Sequence, residues 1–334
     1  MTKYDVYALG NALLDIEFEV SPAVLEQLGI DKGVMTLLDQ ESQAKIIGNL
    51  GQYDQKRSCG GSAANTIIAI SQFGGKAFYS CKVADDEPGK FYTQDLIDCG
   101  VETNLTSHTP EAGVTGKCLV FVTPDADRTM NTFLGISGEL SNQELVPEVI
   151  KNANYTYIEG YLVSGEGSKQ AAIAAREIAH QAGNKVAFTL ADYNMVKFFK
   201  PGLLEIIGSG VDLLFANESE ALLMADTEDF DAAIDYLKTI AKTFVVTRGA
   251  LGSVVFDGTS LIEIKPFPVQ AIDTVGAGDM YAGAFLYGIT NGMSYSNAGR
   301  LASLASSQIV TTLGARMTTP AVQGLLDQAK AVTT

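Results

Sequence analysis

The stretch AIDTVGAGDMYAGAFLYGIT, residues 271–290, sets Gly276, Ala277 and Gly278 directly before Asp279 and a run of small apolar residues. Glycine and alanine let their backbone N–H groups approach a ligand closely, and the apolar run predicts a helix that begins at the ligand. Free N–H groups and the positive end of the helix dipole bind anions. The stretch therefore predicts an anion site, where one preorganised donor contributes about 2.7–4 kcal/mol to a transition state.

Asp279 has two interpretations. A carboxylate within reach of a substrate hydroxyl can accept its proton as the oxygen attacks, which contributes roughly 10²–10⁴-fold to the rate. Alternatively, the acid only complements the N-terminus of its own helix, and the spacing by itself favours this simpler role. Two other phosphate-binding motifs are absent from the sequence. Tyr281 stands where the G-x-G-x-x-G fingerprint has its third glycine. A Walker A loop requires Ser or Thr after a Gly-Lys pair, and none of the Gly-Lys pairs is followed by either residue.

The composition is that of an acidic globular protein. The chain has 334 residues, 46% of them hydrophobic, and a formal net charge of -16, which disfavours nucleic acid and anionic membranes as partners. Its four cysteines show no C-x-x-C spacing and its two histidines lie far apart, so a zinc site has little support. The first residues lack a signal peptide's pattern, and we expect a cytoplasmic protein.

Short β-branched and aromatic runs alternate with helical patterns along most of the chain. The runs are YDVYALG, KAFYSCKV, YTYIEGYLV, KVAFTLAD, DLLFANE and FVVTRG, and helical segments such as SAANTIIAISQFGG separate them. This alternation predicts βαβ units in a mainly parallel sheet with helices on both faces. Ligands of such sheets bind beyond the carboxyl ends of the strands. After Gly276 the pattern is almost entirely helical.

Two segments interrupt the alternation. IEFEV (16–20) with GVMTLLD (33–39), and TGKCLVFVTPDADRTMNTFLG (115–135), are typical of strands and hairpins without an intervening helix. We expect them to form a small β-sheet lid from residues 16–40 and 113–137. Residues 1–15, 41–112 and 138–334 would then form the large domain. An extension of the main sheet is the alternative.

Two further clusters carry polar residues beside glycine. In CGGSAANTIIAI, the pair Gly60-Gly61 opens a helical pattern with Ser62 as the predicted N-cap and Asn65 in the first turn. In LGNALLD, Asn11 and Asp15 follow the first strand, where they could bind sugar hydroxyls or form an Asx turn.

Together, CGGSAANT and DTVGAGDMYAGAF resemble the two signatures of the ribokinase-like (PfkB) family of carbohydrate and nucleoside kinases, in the right order and separation. ANESE (216–220) and VTRGALGS (246–253) resemble two intermediate motifs, so the likeness spans almost the whole chain. It implies a ribokinase-like three-layer α/β/α sandwich with a small β-sheet lid. It also implies ATP and Mg²⁺, with a monovalent cation such as K⁺ near Asp273 and Gly314.

The resemblance also assigns roles to individual residues. Asp279 would be the catalytic base, the backbone of Gly276, Ala277 and Gly278 the anion hole, and Arg128 a cation that reaches from the lid. The acceptor would be held by Asn11, Asp15, Gly60, Gly61, Ser62 and Asn65. The nucleotide would contact Asn217, Thr247, Arg248, Gly249 and Gly252, while Asn217 and Glu220 would hold Mg²⁺ through water.

Within the family, GNALLDI, GGSAANT and YIEGYLVS are most similar to adenosine kinases, which favours the 5′-hydroxyl of adenosine as the acceptor. Candidates for a purine slot are Leu14, Met35, Leu38, Phe133 and Leu134, although each is also an ordinary packing residue. A kinase of free sugars such as fructose or ribose is the alternative. A non-catalytic nucleoside or sugar sensor is a third possibility. Both a monomer and a homodimer formed through the lid fit the sequence.

Overall fold

The structure, a computed structural model, describes residues 4–33, 35–107, 109–124 and 128–331, without the side chains of Arg128, Lys330 and Ala331. The strands in chain order are β1 (Tyr4–Leu9), β2 (Leu13–Glu19), β3 (Met35–Leu37), β4 (Gln55–Gly60), β5 (Ala77–Ser80), β6 (Glu102–Thr103), β7 (Thr115–Val122), β8 (Arg128–Gly135), β9 (Ala153–Glu159), β10 (Lys185–Thr189), β11 (Val211–Asn217), β12 (Ala241–Thr247), β13 (Ser253–Phe256) and β14 (Leu261–Ile264). All six predicted strands are confirmed.

The α-helices lie between the strands and at the C-terminal end. They are α1 (Pro22–Leu28), α2 (Gln40–Gly48), α3 (Ser62–Gln72), α4 (Glu87–Asp98), α5 (Pro147–Ile150), α6 (Glu166–Gln181), α7 (Tyr193–Ile207), α8 (Glu218–Met224), α9 (Phe230–Ile240), α10 (Ala277–Thr290), α11 (Tyr295–Ile309) and α12 (Thr319–Ala331). The helical C-terminal region is therefore as predicted. None of the helices in the described ranges is long and apolar enough to cross a membrane.

Nine strands form the large sheet in the order β14-β13-β12-β11-β10-β9-β1-β5-β6. The strands from β12 to β6 are all parallel, and only β13 and β14 run antiparallel to their neighbours. One hydrophobic core packs α3, α4, α10, α11 and α12 on one face, and another packs α5 to α9 on the other. The three-layer α/β/α sandwich is thus confirmed. Since β1 pairs with both β5 and β9, the chain proceeds from β1 in both directions, and such a switch point opens a crevice for ligands.

The remaining five strands form the small sheet in the order β3-β8-β7-β2-β4. Side chains alternate between its two faces, as the period of a strand requires. Leu14, Ile16, Phe18, Leu119 and Phe121 point to one face and form a core with Leu25 of α1 and Ile46 of α2. Helices of the same chain therefore cover this apolar face. The choice between a monomer and a lid-mediated homodimer stays open.

Two details of the predicted lid are wrong. Helix α1 lies between β2 and β3, where a hairpin without a helix was expected; Pro22 at its first turn and Gly29 in the left-handed conformation (φ +67°) delimit it. The small sheet also includes β4 at its edge and residues 13–15 at the start of β2, which were assigned to the large domain. β4 belongs there because it pairs antiparallel with β2. The pairing of β7 with β8 is as expected, although the turn at residues 125–127 lies outside the described residues. The division into domains itself stays a prediction.

Candidate active site

A cavity of about 430 Å³ lies between the large sheet's carboxyl edge and the open face of the small sheet. The strand ends that line it are those of β9, β10, β11 and β12, together with the residues after β1. Its lining comprises Asn11, Leu13, Asp15, Met35, Leu37, Gly61, Ser62, Asn65, Cys118, Met130, Thr132, Leu134, Glu159, Tyr161, Ser164, Thr189, Ala191, Met195, Phe215, Ala216, Asn217, Glu220, Thr247, Val275, Gly276, Gly278, Asp279 and Tyr281. Much of the predicted site is therefore gathered at one place.

Asp279 lies in the first turn of α10 and contacts α3. Its Oδ1 accepts a hydrogen bond from the Ser62 hydroxyl at 2.6 Å, and its Oδ2 accepts one from Asn65 Nδ2 at 3.1 Å. Burial raises its pKa from 3.8 to about 6, although the two hydrogen bonds oppose that shift. The carboxylate thus bonds directly to a neighbouring helix. Its place in the first turn of α10 also fits the helix-complement role, so both interpretations remain open.

The two glycines before Asp279 have different surroundings: Gly276 is packed against the backbone, whereas Gly278 faces open space. Gly276 has φ +74°, and a Cβ at this position would lie 2.6 Å from the carbonyl oxygen of Ala315. A Cβ on Gly278 would meet no protein atom within 4 Å, so its backbone faces free space. Ala277 does not line the cavity, because its N–H donates to the Thr274 carbonyl at 3.3 Å and its carbonyl accepts from Ser306.

The glycine pair allows two polar groups to approach α3. A Cβ on Gly60 would overlap the Asp15 carboxylate, and a Cβ on Gly61, where φ is +98°, would overlap the Asn11 carbonyl oxygen. Asn11, Asp15, Gly61 and the α3 residues face the cavity, whereas Gly60 lies behind them. The predicted N-cap is wrong: Gly61 occupies that position and Ser62 is the first helical residue, which frees its hydroxyl for Asp279.

Glu159 is a central residue that the sequence analysis missed. It ends β9, is 1% exposed, and accepts hydrogen bonds from the N–H groups of Asn11 at 2.7 Å and Ala63 at 2.8 Å. Burial raises its pKa from 4.5 to about 7, with a smaller contribution from the nearby negative charge of Asp279. Its carboxylate holds the turn after β1 against the start of α3. The only sequence signal was an acid inside the aromatic run YIEGYLV.

At the opposite end of the cavity, Asn217 and Glu220 form a capping box at the start of α8. Glu220 accepts from the backbone N–H of Asn217 at 2.9 Å and from its Nδ2 at 2.7 Å, and burial raises the pKa of Glu220 to about 7. Both oxygens of Glu220 accept hydrogen bonds within the box, which is compatible with the predicted contact to Mg²⁺ through water; that contact stays a prediction. Among the described residues no cluster of three or more His, Cys, Asp or Glu could hold a metal ion.

Of the other residues predicted to contact the nucleotide, one lines the cavity and three do not. Thr247 lines the cavity at the end of β12. Arg248 instead pairs with Glu218 at 2.8 Å and lies over the Phe230 ring, while Gly249 (φ +53°) and Gly252 (φ +92°) shape the following turn. A Cβ on Gly252 would overlap the carbonyl oxygen of Ile264, so this glycine is required by packing. These three residues lie outside the cavity lining.

Two of the five residues predicted for the purine slot line the cavity, and the slot itself stays a prediction. Met35 and Leu134 line the cavity, but Leu14 and Leu38 pack with the core on the other face of the small sheet, and Phe133 is not part of the lining. Their neighbours Leu13 and Leu37 face the cavity instead, because consecutive strand residues point in opposite directions. The side chain of Arg128 lies outside the described part of the chain, so its predicted role stays a prediction.

The comparison with protein families agrees with this geometry. Residues 46–322 match the model described as pfkB family carbohydrate kinase. The chain belongs to the pfkB family of carbohydrate kinases. It is therefore a phosphotransferase with a hydroxyl group as acceptor, and membership in a kinase family implies ATP as the donor nucleotide.

Individual relatives carry different substrate names. The chain is 27% identical over 284 residues to a 5-dehydro-2-deoxygluconokinase from Clostridium beijerinckii, which covers 81% of this chain and 83% of that protein. Among solved structures, a probable sugar kinase from Rhizobium etli has a TM-score of 0.90 and 34% identity, with 99% of both chains covered. Adenosine kinase from Sinorhizobium meliloti has a TM-score of 0.88 and 36% identity, and covers 98% of this chain and 99% of that one. The family is thus shown, while these names point to more than one acceptor.

Proposed function

We propose that this kinase transfers the γ-phosphate of ATP to the 5′-hydroxyl of a nucleoside, with adenosine as the expected acceptor and AMP as the product. The observation that carries the proposal is the charge of the cavity. Asp15, Glu159, Glu220 and Asp279 contribute four carboxyl groups, and no Lys, Arg or His occurs among the described residues that line it. A cavity of this composition opposes an anionic acceptor and favours a neutral one.

The apolar side chains that the small sheet presents to the cavity, here called its roof, favour a nucleobase as part of the acceptor. Leu13, Met35, Leu37, Met130 and Leu134 project from three strands of the small sheet, β2, β3 and β8, toward the cavity. Apolar side chains at this density provide a surface for a flat ring that a free sugar would not fill. Leu37 is 58% exposed and Met35 37% in this structure, so a bound base would remove apolar surface from water.

The residues beneath the roof suit an alcohol that attacks a phosphoryl group. Asn65 donates to Asp279 through Nδ2, whereas its buried Oδ1 accepts no hydrogen bond from the part of the chain that the structure describes. We expect this oxygen to accept from a ligand hydroxyl once the acceptor is bound. Asp279 would accept the proton of the attacking hydroxyl, and the open backbone at Gly278 would receive the phosphoryl oxygens. Mg²⁺ bound with ATP would supply positive charge that the cavity lacks, with Asn217 and Glu220 contacting it through water.

The proposal is tested with purified protein, ATP, Mg²⁺ and a panel of acceptors: adenosine, inosine, ribose, fructose and 5-dehydro-2-deoxygluconate. We expect kcat/KM for adenosine to exceed that for each sugar, and the acid sugar to be the poorest acceptor. A preference for 5-dehydro-2-deoxygluconate would contradict the charge argument and favour the activity named for the Clostridium beijerinckii relative. A preference for ribose or fructose would support the free-sugar alternative.

The same experiment distinguishes the kinase hypothesis from that of a non-catalytic sensor. A sensor would bind adenosine, measurable by calorimetry, without forming ADP. The intact group of Asp279, Ser62 and Asn65 argues against a sensor, because a protein that only binds has no need for a half-buried carboxylate with a raised pKa.

A further inference from the structure

We propose that Asp95 and Arg316 are positioning residues that fix the acceptor-binding turn at Gly60–Gly61 relative to the turn at Gly276 where α10 begins. Neither residue lines the cavity, and neither lies in a signature motif. This proposal rests on the proposed roles of Asp279 and the α10 turn.

Asp95 connects α4 to the end of β4. A single carboxylate oxygen, Oδ2, accepts hydrogen bonds from the backbone N–H of Cys59 and from Nη2 of Arg316, both at 2.7 Å. Cys59 directly precedes Gly60, the residue whose missing Cβ makes room for the Asp15 carboxylate. Asp95 therefore holds the backbone one residue before the acceptor-binding glycine pair.

Arg316 connects the same oxygen to the start of α10. The residue before it, Ala315, packs directly against Gly276, and a Cβ on Gly276 would lie 2.6–3.0 Å from three backbone atoms of Ala315. The Arg316 side chain is only 15% exposed, and its Nη1 also contacts the Cys99 sulfur at 3.7 Å. The ion pair is thus partly shielded from water, where screening by solvent is weaker.

The segment around Arg316 is fixed at two other points. Gly314 N–H donates to Asp273 at 2.8 Å, and Gln72 at the end of α3 donates to the Met317 carbonyl at 2.8 Å. Residues 314–317 therefore form a block between α3, α4 and the α10 turn. Asp95 is the residue that joins this block to the backbone of the acceptor-binding turn.

The two turns must keep their separation within a fraction of an ångström, because Asp279 and the acceptor meet between them. Misplacement by about 1 Å costs roughly 10²-fold in rate even when binding contacts are intact. Loss of the Asp95–Arg316 pair should therefore lower kcat more than it raises KM, since Asn11, Asp15 and Asn65 keep their own contacts.

Three variants test this in the full-length protein. Asp95→Asn keeps an oxygen that can accept from Cys59 and removes the charge, Arg316→Met removes the guanidinium, and Arg316→Lys keeps the charge with fewer donors. We expect kcat with the best acceptor to fall about tenfold or more in the first two variants, with KM within about threefold of wild type. Arg316→Lys should recover part of kcat, and the double variant should lose no more than either single change.

The matched control is Arg57→Met. Arg57 forms a two-bond pair with Glu87 at 2.9 Å, which also joins β4 to α4 but touches neither Cys59 nor residues 314–317. We expect this variant to lower the thermal midpoint without changing kcat. Equal kcat losses in Arg57→Met and Arg316→Met, or variants of Asp95 and Arg316 that lower only the thermal midpoint, would overturn the proposal.

A second measurement does not depend on the acceptor. Amide hydrogen exchange in the Asp95→Asn protein should be faster than in wild type both in residues 59–65 and in residues 314–317. The Arg57→Met protein should not show faster exchange in residues 314–317. If wild type phosphorylates no acceptor but exchange increases as expected, the proposed function fails and the coupling of the two turns stands; unchanged exchange in either segment would refute the coupling.

Discussion

Ser62 donates a hydrogen bond of 2.6 Å to Asp279, although 217 residues separate the two in the chain. Ser62 is the first residue of α3 and Asp279 lies in the first turn of α10, so the N-terminal ends of two helices meet at one carboxylate. Two such helix ends place positive dipole ends beside the same acid. Both dipole ends favour the ionised form of this half-buried carboxyl group and so oppose the effect of burial on its pKa.

We expect Asp279→Asn to bind adenosine and ATP with nearly wild-type affinity and to lose 10²–10⁴-fold in kcat, roughly the contribution of a general base. Ser62→Ala is the matched variant, because it removes one hydrogen bond to the same carboxylate and leaves the acid in place. It should lose much less in kcat. Steady-state kinetics and calorimetric titration decide the matter, and an Asp279→Asn protein with wild-type turnover would exclude the base.

The raised pKa of Asp279, about 6, sets the expected pH dependence of the rate. Below this pH the carboxyl group of the unliganded enzyme is protonated and cannot accept a proton, so kcat/KM should fall by about tenfold for each pH unit. The contribution of Asp279 to the free energy of unfolding should change in the opposite direction with pH. Because the folded pKa exceeds the ordinary value of 3.8, the folded state binds the proton more tightly than the unfolded state, and the contribution of Asp279 to stability decreases as pH rises from about 4 to about 6.

The rate dependence is measured as the pH profile of kcat/KM in wild type. The stability dependence is measured as the free energy of unfolding of wild type and Asp279→Asn over the same pH range. The difference in stability between the two proteins should change across that pH interval and level off above it. A flat difference would show that burial does not raise the pKa of this carboxyl group.

The two glycines of the α10 turn should respond differently to alanine. Gly278→Ala adds a Cβ that meets no protein atom, so the fold should keep its stability or gain about 0.5–1 kcal/mol. The new methyl group nevertheless intrudes on the space proposed for the phosphoryl group and should lower kcat or raise KM for ATP. In contrast, Gly276→Ala should lower both activity and the stability of the fold, because φ at this residue is +74° and the backbone of Ala315 leaves no room for a Cβ. Thermal unfolding and kinetics of both variants check this, and full activity in Gly278→Ala would contradict the anion site.

Gly60→Ala should impair acceptor binding selectively. Its Cβ would displace the Asp15 carboxylate, so KM for the acceptor should rise by about tenfold or more while KM for ATP changes little. Gly48→Ala, at the end of α2, is the control, since its Cβ would meet nothing within 4 Å. Steady-state kinetics with each substrate varied in turn measures both constants. An equal rise for both substrates would point to general distortion of the fold instead.

The sequence predicted the large sheet well because its strands are buried on both faces and are separated by helices, so their apolar runs stand out. It predicted the acceptor turn, Asp279 and the α10 turn as separate elements, since each has a local signal of glycine beside a polar residue. It could not predict that Ser62 leaves the N-cap position to bond Asp279, because that contact depends on the packing of α3 against α10.

The errors have equally definite causes. Leu14 and Leu38 were chosen for the purine slot although Leu13 and Leu37 line the cavity, because a shift of one residue reverses the face of a strand and both members of each pair are apolar. Glu159 was missed because its two bonds to backbone N–H groups come from segments 148 and 96 residues away. Helix α1 was missed because seven residues give too short a period to recognise.

In the small sheet, consecutive residues have different roles: one lines the cavity and the next packs in the core on the other face. Leu13 and Leu37 meet the ligand space, and Leu14, one position along, helps to keep the sheet attached to α1 and α2. Substitutions on the ligand side can accumulate while the attachment stays untouched. One scaffold can therefore serve different acceptors, which is consistent with a solved structure of similar fold named adenosine kinase and a sequence relative named 5-dehydro-2-deoxygluconokinase.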